Sequence, residues 1–222
     1  STMKLIEHFI GGKNYSGNSK RKNKIFNPAT GEQSAEVKLA TSEDVNKAVE
    51  NAKNSFEKWS NTPPLQRARI MFKFKELIEK NYDELAKIIV SEHGKVYEDA
   101  KGSLTRGLEV VEYACGIPQM LKGEFTENVG TSVDSWSIRQ PLGVCAGITP
   151  FNFPAMVPMW MFPMAIACGN TFVLKPSEKD PSCSLRLAEL LKEAGLPDGV
   201  FNVINGDKEA VDALINNKDV AA

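Results

Sequence analysis

The sequence is poor in residues that bind metals or carry redox chemistry. Its 222 residues include two histidines and four cysteines. No C-x-x-C or similar metal-ligand spacing joins the cysteines, and each lies among apolar or small residues: Cys115, Cys145, Cys168 and Cys183. This pattern favours free thiols packed in a core over a zinc site or a disulfide framework, and it is typical of a reducing compartment. We expect no metal site.

An excess of one charge and long apolar runs are also missing. Lys and Arg number 27 against 28 Asp and Glu, a net charge of −1, which gives no electrostatic basis for binding nucleic acid or an anionic membrane. The first residues lack the pattern of a signal peptide. The run PFNFPAMVPMWMFPMAIACG is too short and too broken by prolines to span a bilayer. We expect a soluble protein of the cytoplasm, or of the mitochondrial matrix if the organism is eukaryotic.

Short strands followed by helices are predicted for the first half of the chain. Gly and Asn-Pro turns separate short apolar pieces over the first forty residues. The segment TSEDVNKAVENAKNSFEKWS opens with a capping-box pattern, Thr41 and Asp44, and has apolar residues at helical spacing. Helical patterns continue from PPLQ to Gly94, as one long or two short helices, and again around Leu104 to Ala114.

Strands and helices alternate in the second half. GVCAGIT, NTFVLK and VFNVING have strand patterns, each followed by a helical segment, and VAA resembles the opening of a fourth strand. This alternation predicts right-handed crossovers and an α/β fold with a parallel sheet. Between the halves, TSVDSWSIRQPLG alternates as a hairpin or edge ribbon would. Because the chain stops where a strand begins, we expect it to be a fragment.

Polar residues follow the first two of these strands, where ligands of open α/β sheets bind. No G-x-G-x-x-G is present there, so a glycine-rich pyrophosphate site is not expected. Glu178 could accept hydrogen bonds from both hydroxyls of an adenosine ribose, with Lys175 as a donor, although spacing alone favours a solvated turn. Asn152, in apolar surroundings between Pro150 and Pro154, is either a buried amide that satisfies a turn or an oxyanion donor.

Three segments together resemble the aldehyde dehydrogenase superfamily: PFNFP, GNTFVLKPSE and KEAGLPDGVFNVING. The resemblance runs from about Phe9 to the end of the chain. Members bind NAD without the glycine fingerprint, which explains its absence here. The resemblance implies an NAD-binding domain with a parallel Rossmann-like sheet, N-terminal strands and helices over 1–122, an oligomerisation hairpin over 123–141, and incomplete βα units over 142–222. It further implies that the catalytic domain is absent, and that the protein is a homotetramer built as a dimer of dimers.

The resemblance also assigns roles to matching residues. Asn152 corresponds to the side-chain donor of the oxyanion hole. Arg106, in TRGLEVVEY, corresponds to an arginine that binds a carboxylated aldehyde, and a bidentate guanidinium suits a carboxylate chemically. Thr149 and Phe151 correspond to positions near the nicotinamide half of NAD. Lys175 and Glu178 correspond to the residues that bind the adenosine ribose, and Lys179 corresponds to a basic residue that flanks that site.

Within the superfamily, the GVCAGI strand, the W-M-F-P of residues 160–163 and RGLEVVEYACG most resemble the subgroup that oxidises methylmalonate semialdehyde. This likeness implies attack by a cysteine thiolate, hydride transfer to NAD, and passage of the acyl group to coenzyme A after decarboxylation. The products would be propionyl-CoA or acetyl-CoA. None of the four cysteines matches the nucleophile, which is expected beyond a fourth strand. Two alternatives remain: a hydrolytic aldehyde dehydrogenase of another subgroup, and an inactive, truncated dinucleotide-binding fragment.

Overall fold

The computed structural model describes residues 3–121 and 141–222. Its strands are β1 (Lys4–Ile6), β2 (His8–Ile10), β3 (Lys13–Tyr15), β4 (Lys22–Phe26), β5 (Gln33–Lys38), β6 (Val144–Ile148), β7 (Thr171–Lys175) and β8 (Phe201–Val203). Its helices are α1 (Ser42–Ser60), α2 (Pro64–Lys80), α3 (Tyr82–His93), α4 (Tyr97–Ala114), α5 (Ile117–Leu121), α6 (Met156–Ala167), α7 (Ser182–Glu193) and α8 (Lys208–Ile215). The fold is therefore of the mixed α/β type that the sequence predicts.

The larger sheet has five strands in the order β3-β2-β8-β7-β6. Strands β6, β7 and β8 are parallel, as the alternation of strands and helices predicts. The structure adds an antiparallel edge, because β2 pairs antiparallel with both β3 and β8. At the opposite edge Val220 forms a parallel bridge with Val144, at the place predicted for a fourth strand. Strands β1, β5 and β4 form a separate three-stranded sheet.

The helix signals in the sequence are confirmed in detail. The Asp44 backbone N–H donates to Thr41 Oγ1 at 3.2 Å, and the Thr41 N–H donates to Asp44 Oδ2 at 2.9 Å, which completes the capping box of α1. The segment from PPLQ onward forms two helices, α2 and α3. Gly94 ends α3 with a φ of 83°, a conformation that favours glycine. Leu104 and Val111 of α4 are buried as their spacing predicts.

Helices cover both faces of the five-stranded sheet. Helices α1 and α8 pack on one face, and the larger core joins the other face to α2, α3, α4, α6 and α7. Met159 and Phe162 of α6 are completely buried in this larger core. Gly107 lets α4 approach closely, because a Cβ at this position would lie 2.7 Å from Met159 Sδ. This packing fixes α6, and with it the loop between β6 and α6.

The hairpin predicted over 123–141, including Trp136 and Ile138, lies almost wholly outside the described residues. Its role in oligomerisation and the domain boundaries at 122 and 142 stay predictions. In the part of the chain that the structure describes, no helix combines the length and apolar character needed to cross a membrane.

Candidate active site

The carboxyl ends of three parallel strands meet at one edge of the sheet. Ile148 pairs with Lys175 in the β6–β7 register, and the Thr149 N–H donates to the Lys175 carbonyl at 3.1 Å. The Ile204 N–H donates to the Leu174 carbonyl at 2.9 Å, which brings the end of β8 alongside. The loops that begin at 149 and 176 therefore lie side by side, as predicted for the residues that follow the first two strands.

Lys175 is buried at the centre of this edge, with 3% of its surface exposed. Its Nζ donates to the Pro176 and Gly206 carbonyls, both at 2.7 Å, and lies 3.7 Å from Glu178 Oε2. Burial lowers the pKa of Lys175, while the Glu178 carboxylate opposes that shift. Because an ammonium has three donors, two carbonyls leave one N–H directed to Glu178 or to a ligand.

Glu178 retains unused hydrogen-bonding capacity. Its side chain is 32% exposed, and the 3.7 Å separation from Lys175 is longer than a hydrogen bond. Both carboxylate oxygens can therefore accept from a polyol such as a ribose. Lys179 lies in the turn before α7 and is exposed. Its Nζ lies 5.6 Å from the centre of the Phe151 ring. The residues present fit the adenosine-ribose site that the sequence suggests.

Phe151 stacks on the imidazole of His93, the last residue of α3. The ring centres are 4.4 Å apart and the planes differ by 25°. Among the described residues, both ring nitrogens of His93 lack a hydrogen-bond partner, and burial together with Lys95 lowers the pKa of His93. A neutral imidazole thus supports Phe151. No sequence pattern predicted a role for His93, because only the fold brings the end of α3 to this loop.

Asn152 requires a correction. Its apolar surroundings predict a buried amide, but the structure exposes it in the turn before α6. The reason is local: Pro150 and Pro154 bracket a turn that projects beyond the end of β6 instead of continuing it. No hydrogen bond joins the Asn152 amide to residues 3–121 or 141–222. The Asn152 side chain therefore does not satisfy backbone groups of the turn, which was the first of the two interpretations of its sequence. Its N–H₂ group is available to a ligand.

Arg106 lies on the exposed side of α4, next to the start of α6. Its Nε is 3.1 Å from Met156 Sδ. A pocket of about 270 Å³ is lined by this arginine, by Phe153 and by five further residues: Lys95, Glu98, Asp99, Gly102 and Ser103. Phe153 directly follows Asn152. Arg106 is thus brought to the same loop as the candidate oxyanion donor, although the two residues are 46 positions apart in the sequence.

Asp180 is a charged residue of this region that the sequence did not single out. It is 2% exposed, and neither carboxylate oxygen has a hydrogen-bond partner among the described residues. Burial, with repulsion from Glu92 and Glu178, raises the pKa of Asp180 to about 8, while Lys95 and Lys175 oppose the shift. An aspartate between Lys179 and Pro181 has no sequence feature that signals burial, so only the structure could identify it.

The four cysteines are all buried, as predicted, and no disulfide joins them. Burial raises the pKa of Cys145 to about 11, and it also raises the pKa of Cys115 and Cys183. Thiols with raised pKa values are poor nucleophiles near neutral pH. The structure therefore gives no support for a nucleophile among Cys115, Cys145 and Cys183.

Comparison with known proteins identifies the lineage. The profile described as "Aldehyde dehydrogenase family" matches residues 15–222. The chain is 54% identical over 220 residues to the malonate-semialdehyde dehydrogenase of Pseudomonas aeruginosa, covering 99% of this chain and 44% of that protein. It is 52% identical over 217 residues to a mitochondrial, acylating methylmalonate-semialdehyde dehydrogenase of Arabidopsis thaliana, covering 98% and 36% respectively.

A solved structure agrees with these relatives. It is an NAD complex from Sinorhizobium meliloti, assigned as a methylmalonate-semialdehyde dehydrogenase, with a TM-score of 0.90 and 52% identity over 99% of this chain and 45% of that one. The chain thus spans less than half the length of these relatives. The resemblance seen in the sequence is confirmed: the chain belongs to the aldehyde dehydrogenase family.

Proposed function

We propose that the complete protein carrying this chain oxidises malonate semialdehyde or methylmalonate semialdehyde with NAD and coenzyme A. The aldehyde is oxidised to an acyl thioester, the carboxylate leaves as CO₂, and the products are acetyl-CoA or propionyl-CoA with NADH. The names of the relatives support this reading, and one of them is described as acylating. The observation that carries it is the position of Arg106 in a pocket shared with Phe153, next to Asn152.

NAD, when bound, supplies the hydride acceptor. We propose that Glu178 accepts from the hydroxyls of its adenosine ribose and that Lys175 donates to the same sugar. Lys179 flanks that group, and Thr149 and Phe151 lie toward the nicotinamide half. The anchoring of Lys175 by two carbonyls supports this assignment, because it fixes the ammonium next to a carboxylate with free acceptor capacity. The NAD complex of the Sinorhizobium meliloti relative is consistent with it.

The exposed amide of Asn152 is suited to stabilising an oxyanion. As a nucleophile adds to the aldehyde, the carbonyl oxygen gains negative charge, and a fixed N–H donor at that point lowers the barrier. Loss of one such donor costs roughly two to three orders of magnitude in rate. The prolines on both sides of the turn restrict its backbone, which favours a donor already positioned before the substrate binds.

Arg106 is proposed to bind the carboxylate of the substrate. Its planar guanidinium can donate two parallel hydrogen bonds, which orients the carboxylate as well as attracting it. The aldehyde carbon is two bonds from the carboxylate carbon in a 3-oxo acid, so one short molecule can lie between Arg106 and the Asn152 turn. A hydrolytic relative acting on uncharged aldehydes would gain nothing from a cation here.

Assembly and location are proposed from the family likeness. We propose a homotetramer formed as a dimer of dimers. We propose that it lies in the cytoplasm, or in the mitochondrial matrix if the organism is a eukaryote. The Arabidopsis relative is named as mitochondrial.

The substitution Arg106→Ala in the complete gene product tests the substrate assignment. Loss of charge-assisted hydrogen bonds worth about 1.5–3 kcal/mol should raise KM for methylmalonate semialdehyde roughly 10- to 150-fold. The KM for propanal, which lacks the carboxylate, should change less than about twofold. Arg69→Ala, which removes an exposed arginine from α2, is the matched control and should leave both values unchanged.

Three other results would redirect the proposal. An equal loss on both aldehydes would show that Arg106 is structural. Acid formation that does not require coenzyme A would favour the hydrolytic alternative, and failure to form NADH with any aldehyde would favour the inactive fragment.

A further inference from the structure

A second cation, Lys95, lines the pocket that contains Arg106. Its Nζ lies 4.2 Å from the centre of the Phe153 ring and 3.3 Å from the hydroxyl oxygen of Ser103, which is completely buried. The ring contact is a cation–π interaction, and the Ser103 contact comes from the inner side of α4. Together they hold the Lys95 ammonium between α4 and the loop that carries Asn152.

The charges around Lys95 leave it without a counterion. In the described ranges, neither Lys95 nor Arg106 has a carboxylate within the 4.0 Å of an ion pair. Burial lowers the pKa of Lys95 and repulsion by Arg106 lowers it further, while Asp99 and Asp180 oppose the shift. Glu98 and Asp99 also line the pocket, but both are exposed, so solvent screens them more than the half-buried lysine.

We infer that Lys95 binds the carboxylate of the aldehyde together with Arg106, and so determines specificity for carboxylated substrates. This inference rests on the proposed function. Lys95 and Arg106 repel each other across a small pocket. An anion bound between them would attract both cations and offset that repulsion. The pocket volume of about 270 Å³ suits a short carboxylated aldehyde. Phe153 lines the same pocket and directly follows Asn152, so the aldehyde end of such a molecule would lie toward the Asn152 turn.

The substitution Lys95→Met in the complete gene product tests the inference, because methionine keeps an unbranched stem against Phe153 and removes the charge. We expect KM for methylmalonate semialdehyde to rise about tenfold, which corresponds to about 1.4 kcal/mol, with kcat/KM for propanal unchanged. Lys95→Arg should restore KM to within about threefold. Lys80→Met, which removes an exposed lysine from α2, is the matched control and should leave KM unchanged.

The pH dependence provides a second readout. As pH rises, Lys95 loses its proton before an ordinary lysine does, so KM for the carboxylated aldehyde should increase in the wild type. That increase should be smaller in Lys95→Met, where Asp180, with a pKa raised to about 8, is the group that still loses a proton nearby. Unchanged KM in Lys95→Met, or equal losses on propanal, would overturn the inference, as would a rise in KM of the same size in Lys80→Met.

A binding measurement separates this inference from the proposed function. Malonate carries the same carboxylate but cannot be oxidised, so calorimetric titration of malonate reports the pocket without turnover. About tenfold weaker malonate binding by Lys95→Met than by wild type supports the inference even if the semialdehydes yield no NADH. Equal malonate binding by the two proteins contradicts it, even if the semialdehydes are good substrates.

Discussion

Acid sensitivity of the fold should depend on His8, a residue of β2 far from the chemistry in sequence. His8 is 0% exposed. Its Nδ1 accepts a hydrogen bond from the Asn205 N–H at 3.0 Å, and its Nε2 is buried with no partner among the described residues. This geometry requires the neutral imidazole, because a proton on Nδ1 would remove the acceptor. Burial accordingly lowers the pKa of His8 from 6.5 to about 4.

The size of the effect follows from linkage between proton binding and unfolding. The unfolded chain binds the proton near pH 6.5, whereas the folded protein binds it near pH 4, so acid favours unfolding between these values. The stability contributed by the neutral imidazole is fully present above about pH 7 and is lost as pH falls. A shift of this size amounts to about 3.4 kcal/mol in full, of which about 2 kcal/mol is lost on going from pH 7.5 to pH 5.

The substitution His8→Asn should remove this dependence. The Asn side-chain oxygen can take the place of Nδ1 as the acceptor for Asn205 but cannot be protonated in this range. Urea unfolding of the wild type and the variant at several pH values gives the two free energies of unfolding. Their difference should change by about 2 kcal/mol between pH 7.5 and pH 5. Parallel pH profiles for the two proteins would show that His8 does not cause the acid sensitivity, since carboxylates elsewhere titrate equally in both.

Two further predictions concern the ends of the strands. The pKa of Asp180 is raised to about 8, so the folded protein holds a proton that the unfolded chain has released, and stability falls as pH rises from about 4 to 8. Asp180→Asn should therefore raise the free energy of unfolding at pH 7.5 by about 2 kcal/mol; a destabilised variant would show that the carboxylate is needed in charged form. Glu178→Gln should lower the preference of the complete enzyme for NAD over NADP about tenfold, measured as the ratio of the two kcat/KM values. The exposed control Glu189→Gln should leave this ratio unchanged. An unchanged ratio in Glu178→Gln would remove the proposed role of Glu178.

Local sequence patterns predicted the elements of this fold well because those patterns are themselves local. The capping box of Thr41 and Asp44, the glycine that ends α3 and the strand alternation after residue 142 each depend on neighbours a few positions away. The antiparallel pairing of β2 with β8 does not. Phe9 and Val203 are 194 positions apart, and no short-range feature indicates that they pair.

The candidate site divides in the same way. The polar residues after β6 and β7 were predictable, since the carboxyl ends of parallel strands meet at one edge. The exposure of Asn152 was predicted wrongly, because an apolar composition does not reveal that two prolines turn the chain outward. His93, Lys95 and Asp180 reach this edge from helices or turns that pack against it, so their positions depend on tertiary structure alone.

The products that the complete gene product forms from methylmalonate semialdehyde with NAD, in the presence and absence of coenzyme A, distinguish the proposed activity from its alternatives. We expect NADH, CO₂ and propionyl-CoA in equal amounts when coenzyme A is present, with kcat/KM well above that for propanal. Oxidation that leaves the carboxylate in place, or kcat/KM no greater than for propanal, would contradict the proposed activity.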